Sequence, residues 1–491
     1  MWQIHNFLLF IIKYFRCFFT SLCAICLIFI GYSFLFASSK IQSVSSPTCD
    51  FYLPRVKIFG VKNGEKTLAI VETVFRDLGY TVQTNDSLNW DVLWSYTYPF
   101  YVLEKELSSL KSYQKVNHFP GSGFITQKSN LASLKLNNIP KSFILPIDKE
   151  HFIEYAQKNQ NKSWIMKSST HRFMHIVNLT SNLDENGVFI QEFIQNPLLI
   201  NNKKFDIGVY VILTSINPLR VYIYSGDILL RFCKKDYYPL NLSSPESYIV
   251  GDDYLPIWEV PDLQFYFSEL NYTAKESLNA YLLKQGMDVK KMWLQIHEAI
   301  QDVYYETEDN LKYSSSMFSN KRNFFELVRF DFIADAELNV HLLEVNMSPN
   351  LSPAHFSQNA LLYEQIVLST LNIAGFVRKF PTVAQYSGEA EVSEKDLNVF
   401  PEQCSSQICF ASCKALHCKV CTQCLTDDIK GVFKTAYEEF INRGKYRRLI
   451  PPPSVEKQDQ RNKRFLKFSI VNSLMAIWFE GKCLQDVSWC Y

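Results

Sequence analysis

Three residues in the second half of the chain have the side-chain types and the spacing of a magnesium site, namely Asp331, Glu344 and Asn346. Two apolar, β-branched and aromatic runs flank a polar turn at residues 335–339, which predicts a β-hairpin within residues 325–353. Strand side chains alternate between faces, so Glu344 and Asn346 share a face about 6–7 Å apart, and the hairpin brings Asp331 opposite them. Three oxygen ligands suit Mg²⁺, which keeps its other positions for water and phosphates. The alternative is a strand whose polar face is only solvated.

Two lysines lie on predicted strands from which they could reach an anionic ligand. Lys167 ends an apolar strand and precedes a polar loop, so its amine could reach a nucleotide phosphate as a point charge. Lys204 and Asp206 are two residues apart on another strand and therefore share a face. An ordinary surface lysine is the alternative for Lys167, and these residues alone do not decide between the two.

The elements that must position these groups are strands and helices of a mixed α/β fold. A first strand–helix–strand unit predicts a small parallel-sheet domain, and a dense group of strands precedes a helix with apolar residues at helical spacing. The chain contains no GxGxxG motif, so we assign the first unit no dinucleotide. The predicted strands cover residues 55–61, 90–96, 142–146, 188–194, 205–214 and 219–224, and the predicted helices cover residues 66–79, 148–159, 293–304 and 360–371.

The composition is that of a globular protein with two or three domains. The chain has 491 residues, of which 47% are hydrophobic and 20% are charged. The formal net charge of +1 argues against nucleic-acid binding through an overall positive field. With only 16 glycines, glycine-rich phosphate loops must be scarce.

The N-terminus contains an uncharged apolar run at residues 17–37, long enough to cross a bilayer of about 30 Å. We predict a single-pass membrane anchor followed by a polar stalk at residues 38–54. Lys13 and Arg16 precede the run, which favours a cytoplasmic N-terminus and a type II orientation. The alternative is a secretory signal, but the run is longer than the usual signal core.

Cysteines and glycosylation sequons bear on the compartment. Six cysteines crowd into residues 404–424, where they predict either a disulfide knot in an oxidising compartment or a zinc site in the cytosol. Sequons favour the lumenal side, and they begin at Asn85, Asn161, Asn178, Asn241, Asn271, Asn346 and Asn350. Residues 443–467 are locally basic.

Four ordered segments resemble the tubulin-tyrosine-ligase-like family, whose members are ATP-grasp amino-acid ligases that include tubulin polyglutamylases and polyglycylases. The resemblance covers about residues 117–353. The segments are NHFPGSGFITQKSNL, IQEFIQNPLLINNKKFDI, PLRVYIYSGDILLRF and VRFDFIADAELNVHLLEVNMSP.

The resemblance implies roles for individual residues. Lys167 and Arg172 match the phosphate side of the nucleotide site. Gln191, Glu192 and Ile194 match the hinge that contacts adenine. Lys204 and Asp206 match a KFD motif that lines the nucleotide and acceptor cleft, and Arg231 matches an arginine on the amino-acid side. Asp331, Glu344 and Asn346 match the Mg²⁺ ligands, in agreement with the strand-face argument.

Two positions depart from the family pattern. The family has KFDIR where this chain has Gly208 after Ile207, so an arginine expected to face phosphate is missing. The family's phosphate loop usually contains Arg-Gly, whereas Phe173 follows Arg172 here and restricts backbone approach to phosphates. Losing one charge on the phosphates is expected to cost several kcal/mol of transition-state stabilisation.

We therefore predict an α/β (α+β) protein with an ATP-grasp fold, an N-terminal βαβ domain, a membrane-spanning helix and a Cys-rich C-terminal extension. The predicted activity is ATP- and Mg-dependent addition of glutamate to tubulin through an acylphosphate, with accessory subunits as further partners. The alternative is a weakly active or inactive lumenal glycoprotein. The predicted boundaries are residues 1–37 for the N-terminus and anchor, 38–54 for the stalk, 55–115 for the N-terminal domain, 116–376 for the ligase domain, 377–450 for the extension and 451–491 for the basic tail.

Overall fold

The structure of the chain is a computed structural model that describes residues 53–62, 66–83, 89–169, 174–179, 181–376, 392–453 and 469–491. The predicted anchor at residues 17–37, most of the stalk, and Arg172 and Phe173 lie outside the described residues. Within these ranges no helix is both long and apolar enough to cross a bilayer. The anchor and its orientation therefore stay predictions.

The strands of the described residues form three sheets. In chain order the strands are β1 (Arg55–Phe59), β2 (Thr81–Gln83), β3 (Val92–Ser95), β4 (Lys115–Val116), β5 (Ser142–Ile144), β6 (Ser163–Ser168), β7 (Met174–Val177), β8 (Val188–Phe193), β9 (Leu199–Ile200), β10 (Lys203–Ile216), β11 (Leu219–Tyr224), β12 (Leu229–Phe232), β13 (Leu255–Pro256), β14 (Glu326–Ala334), β15 (Val340–Asn346) and β16 (Tyr446–Ile450).

Helices cover the sheets and build the C-terminal part of the described chain. In chain order they are α1 (Ala69–Asp77), α2 (Glu104–Leu107), α3 (Gly123–Thr126), α4 (Lys128–Ser133), α5 (Lys149–Lys158), α6 (Pro261–Gln264), α7 (Ala274–Lys284), α8 (Val289–Ser314), α9 (Ala360–Ile373), α10 (Pro401–Cys404), α11 (Gln407–Ala411), α12 (Asp427–Ile441) and α13 (Ile470–Gln485).

The first sheet is parallel, as predicted, and contains a short strand, β2, that was not predicted between the helix and the strand at residues 92–95. Its strands are parallel in the order β2-β1-β3-β4, and α1 connects β1 to β2. The central residues of β1 are buried, as expected for a parallel strand covered on both faces.

The second sheet is antiparallel in the order β5-β8-β6-β7. An aromatic cluster of Phe143, Phe152 and Trp164 packs α5 against it.

The third and largest sheet is centred on β10. This strand pairs antiparallel with β12 and β11 along one edge and with β14 along the other. Strand β14 continues into β15 through the predicted turn, where the Asp335 carboxylate accepts a hydrogen bond of 2.8 Å from the backbone N–H of Asn339. The predicted hairpin is confirmed.

Alternation along β10 separates an apolar face from a polar one. Phe205, Ile207 and Val209 belong to the large core that also contains the buried face of α8. The residues between them, Asp206 and Gly208, face the other side of the sheet. The face opposite α8 therefore carries the side chains that could do chemistry.

The six crowded cysteines are paired as Cys404–Cys421, Cys409–Cys418 and Cys413–Cys424. Each thiol is consumed by a disulfide, so none of the six is left as a thiolate ligand for zinc. Among the described cysteines, Cys483 and Cys490 form a fourth disulfide and Cys233 is free and buried. Of the two predicted alternatives, the structure has the disulfide knot.

The C-terminal part is joined to the rest of the fold more closely than a separate extension and tail would be. The last strand of the predicted extension, β16, pairs with β11 in the third sheet. Helix α13, within the predicted basic tail, packs its buried residues against α12, including Trp478 stacked on Phe433 at 5.0 Å between ring centroids. The basic residues between 454 and 468 lie outside the described residues.

Candidate active site

The β14–β15 hairpin brings the three predicted metal ligands together. Asp331 lies directly opposite Glu344 in the strand register. The side-chain amide nitrogen of Asn346 donates to Asp331 Oδ2 at 2.8 Å and to Glu344 Oε1 at 3.2 Å. Two carboxylates and one carboxamide thus converge on one point, as the strand pattern predicts.

Arg231 links the acids of two neighbouring strands. It donates from Nε and Nη2 to the two Asp206 carboxylate oxygens at 2.9 and 2.8 Å, and from Nη2 to Asp331 Oδ2 at 2.9 Å. Burial raises the pKa of Asp206 to about 6 even though Arg231 opposes the shift. The arginine therefore faces an acidic pair that is largely removed from water.

Arg329 is a second guanidinium at this site, and it was missed in the sequence analysis. Its Nε donates to Asp331 Oδ1 at 2.6 Å and its Nη2 donates to Asp331 Oδ2 at 2.8 Å. The residue is 6% exposed. Its position two residues before Asp331 on the same strand was a usable signal, because residues two apart share a face.

Lys128 is the other residue that the sequence analysis missed. Its Nζ lies 3.2 Å from Glu344 Oε2. Burial alone would raise the pKa of Glu344, but Lys128, the Asn346 amide and the nearby arginines overcome burial and hold that pKa at about 2. Glu344 is therefore ionised at neutral pH. Lys128 stands inside the first family-like segment, where it was assigned no role.

Lysines reach the site from the second and third sheets. Lys167 near the end of β6 donates to Gln191 Oε1 at 2.6 Å. Burial lowers the pKa of Lys167 to about 8, with the nearby charge of Glu344 opposing the shift. Lys204 on β10 donates to the carbonyl oxygen of Tyr248 at 2.6 Å, and burial lowers its pKa as well.

The predicted adenine-contacting residues diverge in their side-chain directions. The Gln191 side chain accepts from Lys167 and donates to Ser142 Oγ at 3.0 Å. Glu192 points to the opposite face of β8 and pairs with Lys162 Nζ at 2.7 Å. Its side chain is therefore not brought to Lys167. Ile194 is half-buried just past the end of β8.

Taken together, the fold and the site define an α/β protein in which lysines and arginines converge on a carboxylate–carboxamide group, as expected of a ligase with an ATP-grasp-like fold. The model of the tubulin-tyrosine ligase family matches residues 105–382. The chain belongs to this family, and membership makes it an enzyme of the ligase class.

Curated relatives support the same assignment. A probable tubulin polyglutamylase of Caenorhabditis elegans is 38% identical over 438 residues, which cover 86% of this chain and 83% of the relative. A tubulin polyglutamylase of Mus musculus is 26% identical over 77% of this chain and 46% of its own length. A tubulin monoglutamylase of Homo sapiens is 26% identical over 78% of this chain and 35% of its own length. The chain thus spans less than half of the mouse and human relatives.

Proposed function

We propose that the protein is an ATP- and Mg²⁺-dependent ligase that adds glutamate to glutamate side chains of tubulin. The observation that carries this proposal is the convergence of Asp331, Glu344 and Asn346 close to Lys167 and Arg231 in a chain of this family. The names of the relatives, which are tubulin polyglutamylases and monoglutamylases, support the substrate.

The three oxygen-bearing residues fit a magnesium ion. The Asn346 amide nitrogen lies between one oxygen of Asp331 and one of Glu344, so a cation in its place would contact both carboxylates. Turning the amide by 180° presents its oxygen to the same point. Asp331, Glu344 and Asn346 would hold Mg²⁺, which neutralises phosphate charge when it is bound.

The remaining residues suit transfer through an acylphosphate. In this reaction the γ-phosphoryl group of ATP moves to the acceptor carboxylate and ADP leaves, and the amine of the incoming glutamate then displaces phosphate and gives up its proton. Lys167 and Lys204 neutralise phosphate oxygens. Arg231, whose Nε and Nη2 donate to Asp206 and Asp331, adds positive charge that attracts the carboxylate of the amino-acid substrate. No protein nucleophile is required.

Incorporation of labelled glutamate into tubulin by the purified full-length chain tests the proposal, with and without cell extract to supply accessory subunits. Incorporation is expected for the wild type and is expected to be abolished in Glu344→Gln, which removes a ligand charge. The matched control is Glu337→Gln, which changes an exposed carboxylate in the turn of the same hairpin and should leave incorporation unchanged. Absence of incorporation under both conditions contradicts the proposal.

The disulfides favour a second candidate, a lumenal glycoprotein that uses the same cleft for binding. Eight described cysteines are paired, and disulfides persist in oxidising compartments. Sequon asparagines are exposed at Asn161 and Asn241, whereas the Asn346 amide is engaged with two carboxylates. A glycan at Asn346 would block the metal site.

Glycosidase treatment of the full-length chain made in animal cells separates the two candidates. A loss of mass that disappears in an Asn161→Gln, Asn241→Gln variant places the body in the lumen and removes tubulin as the acceptor. A chain that is unglycosylated and open to protease added from the cytosolic side removes the second candidate.

A further inference from the structure

The space beside Gly208 is filled by a side chain from the neighbouring strand. Gly208 on β10 lies opposite Asp331 on β14. A Cβ atom at Gly208 would lie 2.9 Å from Cδ and 3.2 Å from Nε of Arg329, and 3.2 Å from Asp331 Oδ1. These contacts are closer than ordinary van der Waals separation. Even alanine at position 208 would therefore press on the arginine or on the carboxylate.

Arg329 cannot easily move aside, because its guanidinium is held by two hydrogen bonds to Asp331. Burying a charged group costs several kcal/mol unless an opposite charge with good geometry compensates it. Here the compensating group is a predicted metal ligand. The charge of Arg329 is thus compensated within the candidate active site, by a residue that is predicted to bind the metal ion.

We propose that Arg329 is a positioning residue that supplies, from β14, the guanidinium that is missing at position 208 of β10. Gly208 makes room for this side chain. The inference rests on the proposed function. The positive charge that the family has at position 208 of β10 is then carried by Arg329 on the adjacent strand, β14. Arg329 and Arg231 donate to Asp331 from two directions and thereby fix the position of this predicted Mg²⁺ ligand.

An exchange of the two residues tests this coupling. The four proteins compared are the wild type, Gly208→Arg, Arg329→Gly and the double variant that carries both changes. Affinity for Mg-ATP is measured by calorimetry, and thermal unfolding is followed without nucleotide. We expect each single change to weaken Mg-ATP binding about tenfold. Because residues in contact have non-additive effects, the double variant should recover most of this loss.

Matched controls separate charge, packing and folding. Arg447→Gly removes an exposed arginine from β16 of the same sheet and should leave Mg-ATP affinity unchanged. Gly208→Ala should lower the unfolding temperature in the wild type and be tolerated beside Arg329→Gly, because the crowding contact is then gone. Arg329→Lys keeps the charge without the fork and should bind between the wild type and Arg329→Gly.

Two outcomes overturn the role of Arg329. One is a folded Arg329→Gly protein that binds Mg-ATP as tightly as the wild type, and the other is a double variant that binds no better than the weaker single variant. A wild-type chain that does not bind Mg-ATP overturns the proposed function, and with it the role of Arg329 toward the nucleotide. Failure of glutamate transfer alone leaves the Mg-ATP comparison intact, so the two proposals fail separately.

Discussion

Lys167 is an ammonium group whose charge depends on pH near neutrality. It stands near the end of β6, where burial lowers its pKa to about 8. A lysine is charged below its pKa and neutral above it, so the positive charge is present at pH 7 and is lost as the pH rises through about 8. On the proposed function, attraction of phosphate by Lys167 therefore depends on pH in a range where most lysines do not titrate.

We predict that Mg-ATP binding by the wild type weakens as the pH rises above 8, because Lys167 loses its proton there. Calorimetric titrations over a series of pH values measure this change. The matched variant is Lys167→Arg, which keeps its charge throughout and should show a flatter profile. An equally steep profile in Lys167→Arg would assign the proton to another group, with Lys204 the next to examine.

At the scale of elements, α12 is fixed to the third sheet by a buried ion pair. Arg220 on β11 donates from Nε and Nη2 to the two carboxylate oxygens of Glu439 at 2.7 and 2.9 Å. Tyr222 donates its hydroxyl to the same carboxylate at 3.0 Å. Because both charged residues are buried, neither can turn to water if its partner is lost. This contact attaches the C-terminal helices to the strands of the ligase fold.

We predict that Glu439→Gln lowers the free energy of unfolding by about 3–5 kcal/mol, because it leaves the Arg220 charge buried without a counter-charge. Urea unfolding measures the loss. The control is Glu394→Gln, which breaks an exposed ion pair between Glu394 and Lys430 of α12 and should cost less than about 1 kcal/mol. Equal losses in the two variants would show that burial of the Arg220 pair is unimportant.

At the scale of the whole molecule, disulfides hold the segment that precedes α12. The three pairs in the cysteine cluster close loops with sequence separations of 17, 9 and 11 residues. Such bonds stabilise mainly by restricting the unfolded chain. The stability of the C-terminal part therefore depends on the redox state of its compartment, whereas the third sheet is held by strand pairing.

We predict that replacing Cys409 and Cys418 together by alanine lowers the free energy of unfolding by about 2–3 kcal/mol under oxidising conditions. Under reducing conditions the variant and the wild type should converge, because both then lack the bond. Chemical unfolding with and without reductant makes the comparison. A difference that persists unchanged in reductant would attribute the loss to packing of the cysteine side chains.

The sequence pattern was sufficient for features that depend on local periodicity. Alternation along one strand places Glu344 and Asn346 on one face, and a single turn brings Asp331 opposite, so the acid–amide group was predictable without tertiary structure. Helix α8 was predicted over residues 293–304 and covers Val289–Ser314, because its ends are set by packing and capping as well as by apolar spacing.

The family-like segments supplied what periodicity cannot, namely predicted roles for Lys167, Lys204 and Arg231, and these roles stay predictions. They did not reveal Lys128, because its ion pair with Glu344 joins a short helix to a strand more than two hundred residues away. Cysteine spacing likewise predicted a cluster but not its pairing, since any connectivity satisfies the count.

By itself the sequence determined the family, the βαβ unit, the hairpin and the acid–amide group, because each follows from local pattern or from segments in a characteristic order. Only the tertiary structure decided which strand lies beside β10 and therefore what fills the space at Gly208. In the sequence alone, Gly208 stands where the family pattern has an arginine, so a positive charge is missing. Seen across the sheet, it is the opening into which Arg329 fits, because neighbouring strands are brought together by non-local pairing that no single segment encodes.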